Sequence, residues 1–95
     1  MAEIRTKESI TSVKGRMTVV EARELKQAFM ALLEEKGDIS LDLSEVEDMD
    51  SAGFQLLALL SREARYSGNR KVIVTEHSQA TREIIKLYGS YEPGQ

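Results

Sequence analysis

The sequence predicts a small α/β domain, on three observations. Short β-branched or period-two apolar runs end at glycine or polar turns, amphipathic segments at helical spacing lie between them, and the two kinds alternate along the chain. Strands separated by single helices need crossover connections, which give a mixed, mostly parallel sheet with helices packed on it. The 95 residues suffice for one such core, so the chain reads as a single domain over 1–95, with its core at about 8–90 and a frayed tail at 91–95.

Residues 9–14, Ser-Ile-Thr-Ser-Val-Lys, are β-leaning and stop at Gly15, with a frayed strand expected ahead of them near residues 3–6. Thr18-Val19-Val20-Glu21 matches a capping box. Beyond it Ala22, Leu25, Phe29, Leu32 and Leu33 share one helical face, and Gly37 stands where a C-terminal cap belongs. Ile39, Leu41 and Leu43 alternate with Ser40, Asp42 and Ser44, a strand with one face buried, and a short loop is expected from there through Met49. A second helix should open near Asp50 or Ser51 and run to about Tyr66, stopped by Ser67-Gly68-Asn69. Residues 71–75 form a compact β-branched strand. Ser78 then caps a third helix with Ala80, Ile84, Ile85 and Tyr88 inward and Gly89 at its end.

Composition removes several functions. A net charge of −3 repels nucleic acid and anionic membrane on average, so neither is an expected partner. No cysteine is present, which excludes disulfides, thiolate metal sites and cysteine nucleophiles. The longest strongly apolar run, 56–60, is far short of the ~20 residues that cross a bilayer, and the start lacks the apolar core of a signal peptide, so the cytoplasm is the expected compartment. Neither phosphate-binding glycine loop occurs, and His77, the single histidine, reads as a turn or surface residue. Asp48, Asp50 and Gly53 fit positions 1, 3 and 6 of a calcium loop, but Ala52 and Leu59 fill positions that need oxygen ligands. No metal, cofactor or enzymatic activity is expected.

The informative stretch is Asp48-Met49-Asp50-Ser51-Ala52-Gly53-Phe54-Gln55. Serine at a helix start is ordinarily a cap, yet Asp50 would cap equally well and leave the Ser51 hydroxyl facing solvent. Leu56, Leu57, Leu60 and Ala64 share a face with Gly53 and should bury, while Phe54 and Leu59 project to either side. Either a flanking helix covers them, or they form an exposed apolar patch of the kind that binds proteins. Glu45, Glu47, Asp48 and Asp50 form an acidic segment beside Ser51.

These residues resemble a known family. Asp42-Leu43-Ser44, Val46, Met49-Asp50-Ser51, Gly53 and the following leucines are similar to the signature of STAS domains, and the resemblance extends over nearly the whole chain. It implies helices packed on a mixed sheet. It also implies a regulatory role like that of bacterial anti-sigma factor antagonists, which bind an anti-sigma factor that is also a serine kinase. That kinase phosphorylates the serine after the aspartate, here Ser51, and the antagonist lets go. The implied binding surface is Asp48, Asp50, Ser51, Ala52, Gly53, Phe54, Gln55 and Leu59. Ala52 stands where antagonists commonly carry a second hydroxyl, Phe54 replaces a leucine, and Gln55 and Gln79 replace glycine and proline. The Ala-Gly-x-Gln-Leu-Leu wording also resembles STAS scaffold subunits of chemotaxis-signalling and lipid-transport complexes, which gives the alternative: a scaffold without obligatory phosphorylation.

Overall fold

The computed structural model of the chain describes residues 2–89. The elements run β1 (Ala2–Lys7), β2 (Ile10–Met17), α1 (Ala22–Leu32), β3 (Ile39–Met49), α2 (Ser51–Tyr66), β4 (Val72–His77) and α3 (Gln79–Tyr88). The sheet order is β1-β2-β3-β4, with β1 antiparallel to β2 and the other two pairs parallel. The mixed, mostly parallel sheet expected from the sequence is therefore present. The tail expected at 91–95 lies outside the described residues.

The first strand is not frayed. It pairs with β2 along its whole length, from Ala2 opposite Gly15 to Lys7 opposite Ile10. The two-residue turn between them puts Glu8 and Ser9 at φ 53° and 68°, the left-handed conformation that the right-handed twist of a tight hairpin demands. Neither residue favours that region, so Ser9→Gly should stabilise the domain by about 1 kcal/mol. A thermal melt checks this, with a rise of roughly 4–8 °C expected.

The third strand is longer than its alternation suggests. The segment expected to be a loop through Met49 is strand, and its buried residues pass from Ile39, Leu41 and Leu43 to Val46 and Met49. Register shifts against β2 between Ser12/Lys14 and between Gly15/Arg16 change the buried spacing from two to three. Helix α1 also ends earlier than expected. Its last residue is Leu32, and Gly37, at φ 88°, belongs to the turn that follows.

Strands in sequential order with right-handed crossovers put α1 and α2 on the same sheet face. The two helices do touch, and both feed one core built from Leu25, Phe29, Leu41, Leu43, Leu57 and Leu60 with their neighbours. Arg70 ties the far ends of this layer together, donating to the Leu33 carbonyl at 2.8 Å and the Ser67 hydroxyl at 2.7 Å. The opposite face carries the exposed Ile10 and Ile73 but is otherwise mostly polar, with Glu3, Arg5, Ser12, Lys14 and Glu45 along an open depression. Helix α3, capped by the Ser78 hydroxyl on the Thr81 amide (3.2 Å), packs on β3 and reaches α2 through Tyr88.

Candidate functional site

The N-terminus of α2 is held by one carboxylate. Asp50 has extended backbone at the N-cap, and its Oδ1 accepts from the amides of Ala52 (2.9 Å) and Gly53 (3.2 Å). Its other oxygen, Oδ2, accepts from the Val19 amide at 3.0 Å, and the Asp50 amide donates to the Met17 carbonyl at 3.4 Å. Asp50 thus fastens the start of α2 to the turn between β2 and α1. Of the two possible caps, the structure uses the aspartate. Ser51 is the first residue of the helix, exposed, and its hydroxyl has no partner among the described residues.

Gly53 sets how closely this helix start sits on the sheet. It is buried, and a methyl group built on it would overlap the Met17 carbonyl oxygen and lie 3.1 Å from the carbonyl carbon. It offers no side chain to a partner; its part is the close approach that fixes where Ser51 is displayed.

Other members of the expected surface divide. Asp50 and Ala52 are half-buried, Gln55 is exposed and Leu59 is half-buried. Phe54 is half-buried and packed against the core, its ring 5.5 Å from that of Tyr88. Tyr88 of α3, expected inward but 51% exposed, covers it in part, so Phe54 is not the exposed centre of an apolar patch. The acidic segment is also not a loop. Glu45, Glu47 and Asp48 are exposed on β3, where Glu45 pairs with Lys14 at 3.8 Å and Asp48 with Arg16 at 3.7 Å. Exposed pairs of this kind add little stability, but they soften the negative field beside Ser51.

The apolar surface near Ser51 comes from residues the sequence reasoning passed over. Val19 and Val20 are 69% and 77% exposed in the turn that Asp50 fastens. A capping box would make Val19 and Val20 the first residues of α1, but the helix opens at Ala22 with Glu21 at its N-cap, and both valines lie in the turn ahead of it. The available signal was that neither falls on the apolar face of the helix that follows. The turn itself is fixed by Thr18 and Glu21, both buried: Glu21 Oε1 accepts from the Thr18 hydroxyl at 2.6 Å and the Thr18 amide at 3.1 Å. The hydroxyl bond, chiefly, holds the Glu21 carboxyl below its usual range against the opposing effect of burial. Because the folded value is the lower one, this contribution to stability is present above the ordinary glutamate range and is lost as pH falls through the lowered value. Asp42 is lowered likewise, by hydrogen bonding from Ser44. His77, half-buried at the end of β4, is held low chiefly by burial and lies 3.3 Å from the Thr81 hydroxyl.

A small sheet, helices on one face, and a serine displayed at the start of the central helix define a STAS-type domain. The family model described as "Mlab, STAS domain" matches residues 1–91, and the chain belongs to that family. Among solved structures it is similar to an anti-sigma factor antagonist from Mycobacterium paratuberculosis, at 27% identity and a TM-score of 0.72, covering 94% of this chain and 77% of that one. It also shares the fold of the anti-sigma factor antagonist SpoIIAA in its unphosphorylated form, at 14% identity and a TM-score of 0.66, covering 92% of this chain and 83% of that one. No curated protein sequence gives a significant match.

Proposed function

We propose that the chain is a non-enzymatic regulatory binding module of the cytoplasm, like an anti-sigma factor antagonist. Its partner is an anti-sigma factor that is also a serine kinase, and phosphorylation of Ser51 ends the binding. The observation that carries this reading is the exposed, unpartnered Ser51 hydroxyl beside a cap that does not need it. A helix N-terminus ordinarily offers amides to a phosphate. Here Asp50 already holds those of Ala52 and Gly53, so an added phosphate keeps about −1.5 to −2 charges on display next to another carboxylate. The modification changes what the surface repels and leaves the core alone.

The test is calorimetric titration of the partner recovered with the wild-type chain as bait. Ser51→Asp should bind at least ~10-fold more weakly, about 1.4 kcal/mol, with Ser51→Ala near wild type. Far-ultraviolet circular dichroism should not change, since a helix start tolerates an added anion. Equal binding by Ser51→Asp would reduce Ser51 to a bystander and put the scaffold subunit in first place.

A further inference from the structure

The furrow between α1 and α2 carries a charge pattern that the serine does not explain. Ala22, Lys26, Ala52, Gln55, Leu59 and Arg62 are among its lining residues, which include two cations and no carboxylate. Glu24 and Glu63, the carboxylates within the two helices, do not line it, and Glu24 is turned to the Ala2 amide at 3.2 Å. Lys26 and Arg62 enter no ion pair among the described residues. A helical neighbour reinforces the sign, because Arg23 lies three residues before Lys26. In a chain of net charge −3, this is a basic, small-floored channel.

We infer that the furrow docks an acidic amphipathic helix of a protein partner. This rests on the reading of the α2 start as a partner-binding site and names the chemistry of what binds there. A furrow between two helices accepts a third by ridge-and-groove packing, and its apolar floor takes anchors at i, i+3 or i+4, and i+7. The stretch from Ala52 to Arg62 is about 15 Å, so the occupant needs about three turns. Carboxylates flanking its apolar stripe meet Lys26 and Arg62. Ser51 adjoins Ala52 at one end, so a phosphate there places like charge over the near end of the occupant. Screening over about 8 Å at physiological salt confines that effect to the near end.

The probes are two fluorescent, stapled amphipathic helices of about three turns, with leucines on one face flanked by glutamates in one and by lysines in the other. Anisotropy titration of the full chain should show the glutamate helix binding at least about tenfold more tightly, with the difference shrinking at high salt. Lys26→Glu with Arg62→Glu should invert the preference, and the milder Lys26→Gln with Arg62→Gln should abolish it with the circular dichroism unchanged. Equal binding of the two helices, no binding of the glutamate helix, or an unaltered preference in both double variants overturns the inference. Ser51→Asp separates it from the switch. If the glutamate preference is present while the recovered partner binds Ser51→Asp as tightly as wild type, the furrow stands and the switch falls. If the preference is absent while the recovered partner still responds to Ser51→Asp, the furrow falls alone.

Discussion

Gly53→Ala should lower the thermal midpoint by about 10 °C, although alanine is the better helix former by about 1 kcal/mol. The added methyl group overlaps the Met17 carbonyl oxygen and closes to 3.1 Å on both the Met17 carbonyl carbon and its Cβ. The Met17 carbonyl, at the end of β2, accepts from the Asp50 amide and cannot swing away without losing that bond, so the start of α2 must lift. Lifting strains the Asp50 bonds to Met17 and Val19, which join the two segments. Overpacking of this kind costs about 1–3 kcal/mol, and the lost bonds add to it, so the net is a loss of about 2 kcal/mol. Gly68→Ala is the control. A methyl group there meets only the Arg70 side chain, no nearer than 3.6 Å, and the melt should move by a few degrees at most. A Gly53→Ala protein as stable as wild type would show that the helix start is not pressed onto β2.

Phe54→Asp should be at least as damaging, and through the core rather than through a partner. Had Phe54 been the centre of an exposed patch, a carboxylate would have been tolerated to roughly ±0.5 kcal/mol. It is instead half-buried against the core with Tyr88 stacked obliquely over it, so the substitution removes apolar contact and sets a charge beside the α2–α3 junction. A loss of about 2–3 kcal/mol is expected, read as a fall of 10 °C or more. Val20→Asp, at a residue 77% exposed, should leave the melt nearly unchanged. An unshifted midpoint for Phe54→Asp would return that ring to the surface.

What could be read from the sequence follows from how local each signal is. The helices announce themselves because caps and 3.6-residue spacing are short-range: Ser78 caps α3 as expected, and α2 ends at Tyr66 before a turn with Asn69 at φ 53°. The β1–β2 hairpin was hidden because its turn is Glu8-Ser9, with none of the glycine or asparagine that usually marks such a turn. The second half of β3 was hidden because bulges make the buried spacing Leu43, Val46, Met49, which no period-two pattern matches. At the site, the position of Ser51 and the capping capacity of Asp50 were legible, since both are set within three residues. Whether Phe54 is covered depends on where α3 lands, and the Val19 and Val20 surface depends on a bond from Asp50 across 31 residues. Neither is a property of a local window.

The claim at the centre is that Ser51 is the residue on which the surface is switched. Its hydroxyl is the exposed one at the start of α2, whereas Ser61 is 6% exposed inside the same helix and out of reach of a kinase in the folded state. The most direct measurement is phosphate incorporation from ATP by the recovered kinase, followed by mass spectrometric mapping, on the wild-type chain and on Ser51→Ala. One phosphate on Ser51, and none on Ser51→Ala with its fold and binding intact, is the result expected. Label on Ser44, which is also exposed, or undiminished label on Ser51→Ala, would contradict it.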